Sequence, residues 1–202
     1  MCIPHTRVMT TSLRRLTRSL DAIVGATDDP DYQATSAAFA LRAALQDPKL
    51  LAREHCEPFP DRFRPHLVHV HPGGKYSIVS FVWLPGQRTS IHDHRCWCVV
   101  GVWRGFERET SYDFGRDAAG EFLVRRDSHY GGRGAVSVLV PPDEDIHVVE
   151  NAGQDVAISV HVYGDDIGVH GSSVNRVFSE ELVRVGAMPQ AGASWRSAER
   201  AA

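Results

Sequence analysis

The sequence predicts a mainly β protein, a barrel of short strands with a helical cap at its N-terminal end. Helical periodicity is confined to the opening segment, where apolar residues recur at three- and four-residue spacing. From Phe59 onward, apolar and β-branched runs are separated by turn residues about every 8–12 positions, the mark of a sandwich or barrel. The chain also carries 11 histidines in 202 residues, a first hint of metal chemistry.

Residues 1–10 read as a loose tail. Leu13, Leu16, Leu20 and Ile23 then line one helical face, with Ser12 as N-cap. A second helix is predicted over residues 31–46, rich in Ala and Leu and stopped at Asp47-Pro48, and a short helical piece over 50–55. The first strand, over 66–71, ends at the turn Pro72-Gly73-Gly74, and the second, over 76–84, at Pro85-Gly86. Further strands are expected over 96–103, 106–112, 121–126, 135–140, 147–150 and 157–163. From Met188 the composition turns to Ala, Gly, Ser and Gln. The expectation is a single domain over 1–202: a cap over 11–56, a barrel over 60–180 and a flexible tail over 188–202.

A net charge of −3 with dispersed basic residues argues against nucleic-acid binding. The N-terminal stretch lacks the apolar core of a signal peptide, and no apolar run approaches the roughly 20 residues of a membrane span. Four cysteines, unevenly placed, make no disulfide framework. The expected location is the reducing cytoplasm.

The most informative segment is Gly86-Gln-Arg-Thr-Ser-Ile-His92-Asp-His94-Arg-Cys-Trp-Cys98. Two histidines at i, i+2 on an extended chain point to the same face and can converge on one ion at about 2.0–2.2 Å. The plainer reading is a pair of solvated or backbone-bonded histidines at a strand end. The spacing Gly86-x5-His92-x-His94-x3-Cys98-x6-Gly105 resembles the first cupin motif, with Cys98 where most cupins carry a metal-binding Glu. Pro142-x4-His147-x3-Asn151 resembles the second, with Glu144 at its usual glycine. The resemblance implies a cupin (double-stranded β-helix, jelly-roll) barrel with a metal on His92, His94 and His147. Three neutral imidazoles leave open positions on the ion, and with no carboxylate bound Fe(II) keeps its full charge for an anionic thiolate and O2. Asp93 should face away. Cys96 and Cys98 share the parity of the histidine pair, which keeps a Zn site with thiolate ligands open, since imidazoles discriminate weakly among Zn, Ni, Cu and Fe.

Beyond these motifs, residues 66–168 resemble the cysteine dioxygenase family, which includes cysteine dioxygenase and 3-mercaptopropionate dioxygenase. The matching stretches are Ser90-Ile-His-Asp-His94, His147-Val-Val-Glu-Asn151 and Ser159-Val-His-Val-Tyr163. Phe81-Val-Trp-Leu-Pro-Gly86 and Tyr163-Gly-Asp-Asp-Ile-Gly168 look closer to the bacterial mercaptopropionate branch. The resemblance implies Fe(II) on the three histidines, with O2 and a small thiol as substrates and a sulfinic acid as product. It also implies Ser159, His161 and Tyr163 as an outer hydrogen-bonded relay, and their i, i+2, i+4 spacing independently sets them on one strand face. The plainer reading is an alternating strand with locally satisfied core residues.

Cys98 matches the cysteine that mammalian-type enzymes cross-link to the active-site tyrosine, so a Cys98–Tyr163 thioether and an ordinary buried thiol are both open. For the substrate carboxylate, the resemblance puts His66 where cysteine dioxygenases place an arginine, with Arg64 on the same strand face. The mercaptopropionate branch uses an arginine after the relay tyrosine; Ser172 stands there, and Arg176 is the nearest guanidinium. The expected substrate is 3-mercaptopropionate, or a related acid such as mercaptosuccinate, ahead of cysteine. A non-oxidative, isomerase-like cupin enzyme and a metal-binding sensor are the alternatives; oligomeric state is open.

Overall fold

The computed structural model describes residues 9–142 and 145–184. The expected tail over 188–202 and Glu144 lie outside these residues. Helix α1 (Thr11–Ala26) and helix α2 (Pro30–Ala44) come first. Thr10, not Ser12, caps α1: its hydroxyl accepts from the Leu13 N–H at 3.1 Å, while the Ser12 hydroxyl donates to Asp47 in the turn after α2. Asp29 caps α2, and Pro30 opens it where no N–H is needed. Of the helical piece expected over 50–55, only the 3-10 turn Arg53–His55 forms, because Leu50 and Leu51 turn inward to the core.

The strands follow: β1 (Arg64–Val70), β2 (Ser77–Trp83), β3 (Ile91–His94), β4 (Cys98–Arg104), β5 (Glu107–Asp117), β6 (Gly120–Gly131), β7 (Val136–Leu139), β8 (His147–Asn151) and β9 (Ala157–Tyr163). The short helix α3 (Ile167–His170) then leads to β10 (Val174–Phe178) and β11 (Val183–Arg184). They form two sheets, ordered β1-β2-β9-β4-β7 and β10-β3-β8-β5-β6-β11. This is a mainly β, double-stranded β-helix fold of the cupin kind, although its two sheets are not bonded into a closed cylinder. β10 and α3 were not expected from the sequence; β10 is a short strand whose side chains are mostly exposed, so it carries little apolar alternation.

The first sheet has one face for each of two partners. Ile78, Val82, Val99, Val160 and Val162 turn outward and pack under Leu13, Leu16, Leu20, Leu41 and Leu45 of the helical layer. Full burial of each such side chain is worth about 1.5–3 kcal/mol. The opposite face, carrying Val79, Cys98, Val100, Leu139 and Tyr163, lines the space between the sheets. No described helix is long and apolar enough to cross a membrane.

Candidate metal centre

Register decides which side chains meet inside. On the second sheet His92 of β3 stands directly opposite His147 of β8, and His94, two residues on, keeps the same face. The three rings lie 4.7–4.9 Å apart between centroids. One nitrogen from each lies within 4.8 Å of the others, the one such group of His, Cys, Asp or Glu among the described residues. All three side chains are buried.

Each ring is oriented by an acceptor at its outer nitrogen. His92 Nδ1 meets the Ser90 carbonyl at 2.9 Å, His94 Nδ1 the Asp145 carbonyl at 3.2 Å, and His147 Nδ1 the Glu109 carboxylate at 2.6 Å. An acceptor at Nδ1 places the ring proton there and leaves the Nε2 lone pair free to face inward. Burial, then the neighbouring His147 and His94, push His92 down to about 2. Burial likewise lowers His94 against the pull of Asp145. Inward-facing imidazole lone pairs fit a divalent transition metal, and the group includes no carboxylate and no thiolate. Burial raises the Cys96 thiol to about 12 and pushes Cys98 well above its usual range, so both are protonated thiols. Asp93, between the two histidines, faces outward and holds the Arg176 side chain and backbone N–H.

The relay residues line the facing sheet. Ser159 Oγ lies 3.0 Å from His161 Nε2, and His161 Nδ1 lies 3.0 Å from the Tyr163 hydroxyl. Trp83 Nε1 donates to Ser159 at 3.1 Å, and Phe81 packs on the His161 ring at 4.3 Å. Burial holds His161 well below its usual range and Tyr163 well above, so the imidazole is neutral and the phenol protonated. Cys98 is the register partner of Tyr163 on β4.

The three residues expected to grip a carboxylate are not on this inner surface. Arg64 and His66 pair with Val82 and Ser80, whose side chains face the outer layer, whereas Val79 and Phe81 share the face of His161 and Ser159. The His66 ring instead meets the Glu57 carbonyl at 2.9 Å. Arg176 is bound in bidentate fashion to Asp93 and lies over Phe114 and Phe178 on the outer face of the second sheet. The expectation from the sequence took strand parity from aligned spacing, whereas the pairing between strands sets it. A register shift between Leu67 and His69, and another between Val174 and Val177, reset which face each residue takes.

Sequence reasoning missed Glu109 and Asp145, which orient two of the histidines. Their partners lie 38 and 51 residues away in the chain, and no local spacing signals either contact. Asn151 of the second motif has a structural part: its amide donates to the Trp83 and Asp155 carbonyls and closes the turn after β8.

Among solved structures, the chain is similar to an uncharacterized conserved protein with a double-stranded β-helix domain from Klebsiella pneumoniae. The identity is 18%, covering 59% of this chain and 92% of that one, with a TM-score of 0.43. It is also similar to a cupin 2 conserved barrel domain protein from Salinispora arenicola, at 17% identity over 62% of this chain and 94% of the other, with a TM-score of 0.41. The sequence model of the family described as cysteine dioxygenase type I matches residues 60–167, just over half of the chain, and that span includes all three histidines and the relay. The chain therefore belongs to the cysteine dioxygenase type I family.

Proposed function

We infer that the protein is an iron-dependent thiol dioxygenase that oxidises a small thiol carboxylate with O2 to the sulfinic acid. The observation that carries this reading is a single opposition. Three histidines with inward lone pairs on one sheet face the Ser159–His161–Tyr163 chain on the other. His92, His94 and His147 would hold the iron, which supplies the site where thiolate and O2 meet so that both oxygen atoms reach sulfur.

The residues around that site do the positioning. Tyr163, anchored by His161, presents a protonated hydroxyl that can donate to a bound anion. Val79, Val100 and Leu139 form an apolar wall that accepts the carbon chain of a short thiol and excludes water. An ammonium group against this wall would lose its hydration without a compensating partner. That supports 3-mercaptopropionate, which carries one charged group fewer, over cysteine. Three free thiols among the described residues, Cys56, Cys96 and Cys98, fit the cytoplasm.

The test is oxygen consumption by Fe(II)-loaded protein with 3-mercaptopropionate, mercaptosuccinate and cysteine in parallel, the product being identified by mass. One O2 consumed per sulfinate is expected with a mercapto acid. No uptake with any of the three, at one iron per chain, overturns the reading.

A further inference from the structure

Beyond the relay lies a buried acid that the proposed reaction does not use. Glu107 opens β5 on the same face as Glu109, which holds His147, and is 4% exposed. Neither of its carboxyl oxygens has a hydrogen-bond partner among the described residues, and the Ser159 hydroxyl is the neighbour that acts on the carboxyl and pulls its pKa down. Asn151 of β8 and Gly131 of β6 stand opposite it, and neither titrates. Trp83 of β2 reaches the same Ser159 oxygen. The charged or titratable groups facing Glu107 are therefore Glu109 on its own strand and, through Ser159, His161 of β9.

Counting protons along this row leaves two arrangements. The Ser159 hydroxyl has one proton, neutral His161 has one N–H and Tyr163 has one O–H, while Trp83 can only donate. With Glu107 neutral, Trp83 and the Glu107 acid both donate to Ser159. Ser159 then donates to His161 Nε2, and His161 Nδ1–H donates to the Tyr163 oxygen. The Tyr163 proton is left to point toward the three histidines. With Glu107 ionised, its carboxylate draws the Ser159 proton. His161 must then carry its proton on Nε2 and donate to Ser159, and its bare Nδ1 captures the Tyr163 proton. Each hydrogen bond from Glu107 to Tyr163 reverses: Glu107 gives up one proton to solvent, the His161 proton moves from Nδ1 to Nε2, and no heavy-atom bond changes.

We propose that Glu107 sets the direction of the Ser159–His161–Tyr163 chain, and so decides whether the tyrosine proton faces the metal centre. Glu107 is a positioning residue, acting through three others. Burial, reinforced by Glu109, pushes its carboxyl up to about 8 against the pull of Ser159, so the reversal falls just above neutral pH. The switch itself does not depend on the dioxygenase reading; its use in catalysis does.

The experiment is nitrogen NMR of the histidine side chains in the metal-free full chain, titrated from about pH 6 to 10. The His161 tautomer is expected to pass from Nδ1–H to Nε2–H with a midpoint near 8. Glu107→Gln, whose amide can donate to Ser159 as the neutral acid does, is expected to hold the Nδ1–H form throughout. Glu107→Leu, which removes the acceptor, should do the same and serves if the glutamine variant does not fold. A wild-type tautomer that stays constant over this range, or a transition that persists in either variant, overturns the proposal. If thiol oxidation is also observed, its rate should fall about tenfold for each pH unit above 8 in the wild type, and this limb should vanish in Glu107→Gln. Absence of oxidation with a titrating tautomer would fault the function and leave the switch standing.

Discussion

Cys98 and Tyr163 face each other across β4 and β9 as direct register partners, both buried. Side chains directly opposite in an antiparallel pair have Cβ atoms about 4.5–5.5 Å apart. The thiol is thus held beside the phenol ring by strand pairing rather than by a flexible loop. A thioether between them requires loss of two hydrogen atoms to an oxidant, for which O2 with the bound metal suffices. Intact mass after aerobic incubation with iron and a mercapto acid is expected to show a species lighter by two hydrogens, absent from Cys98→Ala. An unchanged mass would assign Cys98 the part of a plain buried thiol.

Glu109 orients His147 from the far side of the ring. Replacing such a partner of a metal-binding histidine commonly costs 10–100-fold in metal affinity, so Glu109→Gln should weaken iron binding by about that factor. His147→Ala should abolish stable binding. Metal titration followed by calorimetry separates the two, and equal affinity in wild type and Glu109→Gln would show that the carboxylate has no such role.

Acid should destabilise the metal-free protein. His92, His94 and His161 are held below the ordinary histidine range by burial, so the unfolded chain takes up protons that the native state refuses. Their contribution to stability is complete above the unfolded value of about 6.5 and is lost as pH falls below it. Each contributes about 1 kcal/mol per pH unit at most in that window. Urea midpoints measured between pH 7 and 5 should fall, and bound metal should reduce the slope.

The opposite sign holds for Glu107, whose raised value means that the native state binds a proton the unfolded chain has released. Stability is complete below the unfolded carboxylate value and is lost as pH rises toward 8. Glu107→Gln should therefore gain stability over wild type between about pH 5 and 8, by roughly 1 kcal/mol per unit. Parallel urea curves for the two proteins at all pH values would refute this.

Gly164 follows the relay tyrosine, and a Cβ there would lie 2.2 Å from Trp97 Nε1. That indole N–H is bonded to Gln33 of α2 at 2.9 Å and ties the helical layer to the sheet. Overpacking at such a point costs about 1–3 kcal/mol, so Gly164→Ala should lower the melting temperature by several degrees and shift the tryptophan fluorescence.

Much of this molecule was legible without coordinates. The Leu13, Leu16, Leu20 spacing encodes α1 because helical periodicity is local, and the alternating run from Ala157 to Tyr163 encodes β9 for the same reason. The grouping of His92, His94 and His147 could be expected because two of the three share a strand and the third sits in a recognisable motif. The caps fared less well: Thr10 and Ser12 are both good capping residues, and only the position of Asp47 decides which one turns to the helix.

What the chain alone determined are the properties that depend on near neighbours: element type, strand parity within an unbroken run, and the residue types a metal would need. Tertiary structure decided everything that depends on register between distant strands. It sent Arg64 and His66 outward, gave Arg176 to Asp93, set Glu109 behind His147 and put Glu107 beside Ser159. The physical reason is the two-residue period of a strand. A single bulge exchanges its faces, and no local spacing records where a bulge will fall.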